Sequence, residues 1–75
     1  MSNWSTHSPA WNRIQGHWKQ FSGRVRQQWG LLTDDDVIEI DGKRENLVGK
    51  LQERYGLSQE AANRQIDAWA DSLKS

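Results

Sequence analysis

The densest group of potentially reactive side chains is the acidic run 34–36 (DDD), which Glu39 and Asp41 follow closely. Such carboxylates could hold Ca²⁺, but a calcium-binding loop requires acids at alternate positions and a glycine at the sixth. Counted from Asp34, the sixth residue is Glu39, so this pattern is absent. We interpret the run as the acidic first turn of a helix, where the helix dipole stabilises carboxylates, and we predict no metal site.

The other reactive side chains form no catalytic or cofactor-binding pattern. His7 and His17 lie ten residues apart in different contexts, and the chain has no cysteine. The glycines do not form the G-x-G-x-x-G loop that binds phosphates. A polar domain of 75 residues also has little volume for an active-site pocket. We therefore predict that the chain is not an enzyme and binds no cofactor.

Positive charge is concentrated in residues 1–30, which hold Arg13, Lys19, Arg24 and Arg26 and no acidic residue. The rest of the chain holds all ten acids against six basic residues, so the formal net charge is zero. In so small a domain we expect the two halves to attract each other. An alternative is that the four cations contact the phosphates of a nucleic acid, although the zero net charge disfavours this interpretation.

Tryptophans recur at a spacing of seven as Trp4, Trp11 and Trp18. Packing in a core would explain Trp11 and Trp18, whereas Trp4 lies in residues 1–8, a polar segment that we expect to be a flexible tail. We predict that Trp4 and Trp11 either cover one end of the domain or form an adhesive patch for a protein partner. The second version would make the chain a protein-interaction adaptor.

The apolar periodicity predicts a single helical domain over residues 9–75, with helices at about 10–29, 34–40, 42–55 and 59–73. Gly16 is the weak point of the first helix, because an interior glycine costs about 1 kcal/mol relative to alanine. A break at Gly16 is therefore an alternative to one continuous helix.

Local signals predict where the helices begin and end. Gly30 and Gly56 should stop two helices in the left-handed conformation, with Leu31 folding back on the helix that it follows. Thr33 and Ser58 should cap the helices that come next, and Asp36 occupies the capping-box position after Thr33.

The chain contains an internal repeat, since Gly16–Leu31 matches Gly42–Leu57 at a shift of 26 positions with four of sixteen pairs identical. Each copy is an amphipathic helix followed by a Gly-Leu stop, a hydroxyl cap and a second helix. We therefore predict an all-α fold, a small four-helix bundle of two pseudo-symmetric packed α-hairpins. The central core residues should be Trp18, Phe21, Val25, Trp29, Leu47, Leu51, Tyr55, Ile66 and Trp69.

Four motifs between Trp18 and Gly56 together resemble the CsbD-like family of small bacterial stress-response proteins. They read W-K-x-x-x-G, W-G-x-L-T-D-D-D, G-K-R and L-V-G-K-x-Q-E-R-Y-G. The resemblance implies a bacterial source, induction in general stress, two packed helical hairpins and no enzyme activity. It does not extend to residues 1–15.

Length and hydropathy complete the sequence-based expectations. No apolar run approaches the roughly 18 residues that span a bilayer, and no secretory leader precedes the domain. We therefore expect a monomeric cytoplasmic protein with no membrane association. The low mean hydropathy of −0.96 suits a protein that accumulates to high levels. The leading interpretation is a non-enzymatic stress-response protein.

Overall fold

The computed structural model describes residues 9–73, and every secondary-structure element in that range is a helix. The helices are α1 (Pro9–Gly16), α2 (Trp18–Gln28), α3 (Asp34–Ile40), α4 (Arg44–Tyr55) and α5 (Gln59–Ser72). The all-α prediction is confirmed for these residues, but five helices replace the predicted four. The predicted flexible tail, residues 1–8, lies outside the described residues.

The first predicted helix is two helices, so the continuous interpretation of residues 10–29 was wrong and the alternative break at Gly16 is observed. His17 leaves the helical conformation with φ −126° and ψ 42°. Gly42 packs against this bend, because a Cβ placed on Gly42 would lie 3.4 Å from the Gln15 carbonyl oxygen and from the Trp18 Cβ. The bend therefore has two causes. Gly16 is unfavourable inside a helix, and the turn between α3 and α4 packs against the bend through Gly42.

The glycine stop was predicted correctly for α4 and wrongly for α2. Gly56 is left-handed (φ 69°, ψ 26°), and its N–H donates to the Gln52 carbonyl at 3.0 Å. By contrast, α2 ends at Trp29 with φ −122° and ψ 88°, and Leu31 is 57% exposed. The Trp29 indole is buried in the core, and Gly30 is not among the left-handed glycines. Packing of Trp29 therefore ends α2 where the sequence predicted a glycine cap.

The predicted caps of α3 and α5 are confirmed. The Thr33 hydroxyl accepts a bond from the Asp36 N–H at 3.1 Å, and the Asp36 carboxylate accepts one from the Thr33 N–H at 3.0 Å. Ser58 accepts from the Ala61 N–H at 3.1 Å. The turn between α3 and α4 uses two left-handed residues, Asp41 (φ 50°) and Gly42 (φ 77°), so α4 begins later than predicted.

One core joins all five helices. α3 packs on α2 and α4, and α5 packs on α4 and α1. Six of the nine predicted core residues are buried, while Trp18 and Phe21 are partly buried against the core. Tyr55 was placed wrongly: it is 37% exposed, and its hydroxyl accepts a bond from the Leu31 N–H at 3.0 Å. The approximate two-fold relation between hairpins stays a prediction.

Candidate binding surfaces

The acidic run supplies one buried carboxylate, Asp36, which is 2% exposed and lies at the start of α3. Arg54 of α4 binds it with two bonds, Nε to Oδ2 at 2.9 Å and Nη2 to Oδ1 at 3.0 Å. Lys50, one helical turn earlier, places its Nζ 3.3 Å from the Asp36 Oδ1 and also pairs with Glu39. Bidentate bonds between charged groups are the strong class of hydrogen bonds, so these residues, with Thr33, form the Asp36 cluster.

The electrostatics of the Asp36 cluster keep the carboxylate ionised. Hydrogen bonds from the Arg54 guanidinium and from the Thr33 N–H hold the pKa of Asp36 well below its usual range, although burial acts in the opposite direction. Glu39 in turn raises the pKa of Lys50, and Asp36 raises that of Arg54. The cluster therefore joins α3 to α4 by ion pairs rather than exchanging protons near neutral pH. Within residues 9–73, no group of three His, Asp or Glu side chains is arranged to hold a metal ion.

A second polar contact joins the start of α4 to α5. The Arg44 side chain is only 10% exposed, and its Nη2 lies 2.7 Å from the Asp67 Oδ1. Its Nε donates to the Asn63 Oδ1 at 3.1 Å. In the repeat, Arg44 occupies the position of Trp18, which is why the apolar stripe is interrupted there. The structure shows that this interruption is an interhelical contact.

An open groove of about 550 Å³ lies between α1 and α4. Trp11 and Gln15 line it from α1, and Val48, Gly49 and Gln52 line it from α4. The walls are mixed polar and apolar. It is a shallow recess between two helices.

The predicted partner patch is divided by the structure. Trp11 is 5% exposed and belongs to the core, where its ring lies 6.3 Å from that of Trp18. Its ring is therefore not presented to a protein partner in this conformation. Trp4, the other member of the predicted patch, lies outside the described residues.

The four predicted nucleic-acid contacts are all exposed, and they are spread over two helices. Arg13 lies on α1, and the other three lie on α2. Lys19 and Arg26, seven positions apart, share one side of α2, whereas Arg24 lies about 140° around the helix from Lys19. Arg26 pairs with Asp34 and its Nε lies 3.4 Å from the Leu32 carbonyl, so this side chain is committed to the turn after α2.

The expected attraction between the basic and acidic halves is realised by one contact. Among the ion pairs of residues 9–73, only that between Arg26 and Asp34 joins the first 30 residues to the rest. Both side chains are exposed, at 45% and 79%. The remaining ion pairs use cations of α4 and acids of α3, α4 and α5. Although the net charge is zero, the positive charge of α1 and α2 is mostly not paired with the acids of the other helices.

Sequence reasoning missed the Asp36 cluster as a unit. Asp36 was recognised as a capping residue, and this is one of its two roles. The signal for the second role was weak: Lys50 and Arg54 are four residues apart and therefore lie on the same side of α4. Their acidic partner lies 18 residues before Arg54, and no local pattern connects the two.

The sequence also matches a known protein family. The CsbD-like family model matches residues 12–64, more than two thirds of the chain. This chain belongs to the CsbD-like family. The resemblance inferred from its four motifs is confirmed, and the Asp36 cluster lies inside the matched range. The match begins at residue 12, so the expectation that it excludes residues 1–15 was wrong for residues 12–15.

The CsbD-like chain is also similar to curated proteins named only as UPF0337 proteins. It is 51% identical over 63 residues to one from Pectobacterium atrosepticum, covering 84% of this chain and 91% of that protein. It is 56% identical over 54 residues to UPF0337 protein YjbJ of Escherichia coli strain K12, covering 72% and 78%. A relative from Rhodopseudomonas palustris is 52% identical over 64 residues, covering 85% and 97%. These names state no molecular activity.

None of the helices in residues 9–73 is both long enough and apolar enough to cross a bilayer.

Proposed function

We propose that this chain is a non-enzymatic stress-response protein, acting as a monomer in the bacterial cytoplasm through binding and abundance rather than through turnover of a substrate. Membership of the CsbD-like family supports the stress role. The low mean hydropathy of −0.96 supports accumulation to high concentration, because a polar surface favours solubility.

The proposal that the protein is not an enzyme is supported by the ionised, fully bonded carboxylate of Asp36, the buried ionisable side chain of the described domain. Both of its oxygens accept bonds from Arg54, and one also accepts from the Thr33 N–H. A general acid or base needs a pKa near the working pH, whereas the pKa of Asp36 is displaced far below it. This carboxylate therefore stabilises the fold, and its geometry supports a rigid domain that works through its surface.

Graded expression in a strain from which the gene has been deleted tests the proposal. The deletion strain should survive osmotic or starvation stress less well than the parent, and stress should raise the amount of the protein. Protection should then increase in proportion to the amount expressed, because a protein that acts by binding is consumed one molecule per target. An enzyme would instead restore survival fully at a small fraction of the natural amount, since each molecule turns over repeatedly.

An exposed-residue variant and a core variant provide matched controls for that experiment. Asp71→Asn alters one exposed side chain of α5 and should protect as the parent protein does. Ile66→Ala removes a fully buried side chain and should protect less at equal expression. Full rescue at trace expression, or equal amounts of the protein in stressed and unstressed cells, would contradict the proposal.

A further inference from the structure

α2 lies at the edge of the domain and presents one side to solvent. Its contacts are with α1 and α3, and its core-facing residues are Trp18, Phe21 and Val25. At 100° per residue, five exposed residues occupy an arc of about 140° on the opposite side. We call them the α2 outer face: Lys19, Gln20, Gly23, Arg24 and Gln27.

The cations of the α2 outer face form no ion pair with the rest of the described domain, and Asp34, which lines a depression with Gly23 and Gln27, pairs with Arg26 instead. In residues 9–73, neither Lys19 nor Arg24 takes part in an ion pair, and neither α1 nor α2 contains an acid. The Arg24 guanidinium lies over the Phe21 ring at 5.8 Å from its centroid, which restrains the side chain while leaving it exposed. Two unpaired cations therefore lie at the two edges of one helix face.

From this arrangement we propose that the chain binds double-stranded DNA, with α2 along the major groove and Lys19 and Arg24 directed to the phosphates on either side. An α-helix with its side chains is about 10–12 Å wide and the major groove about 12 Å, so one helix fills it. The cations at the two edges of the face would then meet the two phosphate backbones. This binding goes beyond the proposed stress role and does not depend on it.

The middle of the α2 outer face also suits close approach by a duplex. Gln20 and Gln27 lie two turns apart, and their amides can both donate to phosphates and bind base edges. Gly23 lies between them, and a Cβ placed there would meet no atom within 4 Å. A surface without a projecting side chain at its centre allows the helix backbone to come near the DNA.

The same face does not suit an anionic membrane. Helices that bind at a bilayer surface insert large apolar side chains, such as Trp, Phe or Leu, below the headgroups. In the described residues, the exposed large apolar side chains are Leu31, Ile38 and Tyr55, and α2 carries none of them. Of these two phosphate-bearing surfaces, a nucleic acid therefore fits this face better than a membrane does.

Fluorescence anisotropy of a labelled duplex of mixed sequence tests the assignment. Two phosphate contacts predict a slope near −1.8 for log K against log salt, so binding to a duplex of about 20 base pairs should weaken roughly tenfold from about 50 to about 200 mM salt. Lys19→Gln/Arg24→Gln should bring this slope close to zero and abolish most of the binding. Gln20→Glu/Gln27→Glu, which adds negative charge to the same face, should also abolish binding.

Lys43→Gln/Arg64→Gln is the matched control, because it removes the same charge from exposed positions outside α2. It should leave affinity and slope nearly unchanged, and circular dichroism should show equal helicity in all variants. Absence of binding at low salt would overturn the proposal, as would equal losses in the control and in the α2 variants. Stronger retention by phosphatidylglycerol vesicles than by DNA would also overturn it and identify a membrane surface instead.

Discussion

The Asp36 cluster makes the stability of the domain depend on one carboxylate, and Asp36→Asn tests this dependence. The substitution keeps the side-chain volume and removes the charge that Arg54 and Lys50 share. Hydrogen bonds to charged groups each contribute about 1.5–3 kcal/mol to stability. The two cations, with side chains 39% and 18% exposed, recover part of their hydration when the carboxylate is neutralised. We therefore expect Asp36→Asn to lower the free energy of unfolding by about 2 kcal/mol at neutral pH.

Urea denaturation followed by tryptophan fluorescence measures this change, because Trp29 and Trp69 pack edge to face in the core with ring centroids 5.3 Å apart. A domain of this size should have an m-value near 1 kcal/mol/M, so the midpoint should fall by about 2 M. Asp35→Asn removes the same charge from the same helical turn at an exposed position and is the matched control. Its midpoint should change much less.

The same prediction can be tested a second way, by measuring how the difference in unfolding free energy between the parent and Asp36→Asn depends on pH. The pKa of Asp36 is lower in the folded state than the ordinary value of 3.8 that we take for the unfolded chain. Its contribution to stability is therefore complete well above 3.8 and is lost as the pH falls toward the folded-state pKa. The gap between parent and Asp36→Asn should shrink below about pH 4. A gap at neutral pH no larger than that of Asp35→Asn, or one that stays constant in acid, would refute the reasoning.

Three further predictions concern glycines and the core. Gly23→Ala and Gly49→Ala should each raise the free energy of unfolding by about 0.5–1 kcal/mol, because both are exposed helical positions where a Cβ meets nothing within 4 Å. Gly42→Ala should lower it by more than about 1 kcal/mol, because its φ is +77° and the Cβ would press on the bend between α1 and α2. Ile66→Ala should lower it by about 2–5 kcal/mol, since the side chain is fully buried. Thermal and urea melts followed by circular dichroism measure all four variants.

The glycine variants are controls for one another. A loss of stability in Gly23→Ala or Gly49→Ala would show that another segment packs on that helix face. A neutral Gly42→Ala would show that the contact between this turn and the bend contributes little to the fold.

The local signals that proved reliable act over a few residues. Thr33 and Ser58 cap their helices through bonds that reach three positions along the chain, so the residue types alone identify them. Gly56 stops α4 for a similarly local reason. The helical periodicity also identified Leu47 and Ile66 as core residues, because a helix has one repeat whatever surrounds it.

The predictions that failed depended on contacts distant in sequence. Gly30 begins the same Gly-Leu pair as Gly56, but α2 ends through the burial of Trp29, whose Nε1 donates to the Gln65 Oε1 at 2.9 Å. Tyr55 follows the apolar stripe, yet its hydroxyl binds the Leu31 N–H across the fold. Periodicity describes one helix, whereas burial depends on which other helices cover it.

Asp36 shows where the two kinds of information divide. Sequence by itself determined that Asp36 follows Thr33 in a capping box, because both partners lie within one helical turn. Only the tertiary structure decided that its carboxylate is buried and bound by Arg54 and Lys50, because that depends on how α3 packs against α4. The same applies to charge. Sequence determined that the first 30 residues are basic. Packing decided that Lys19 and Arg24 form no ion pair within residues 9–73, since Asp34, the acid that lies against α2, pairs with Arg26.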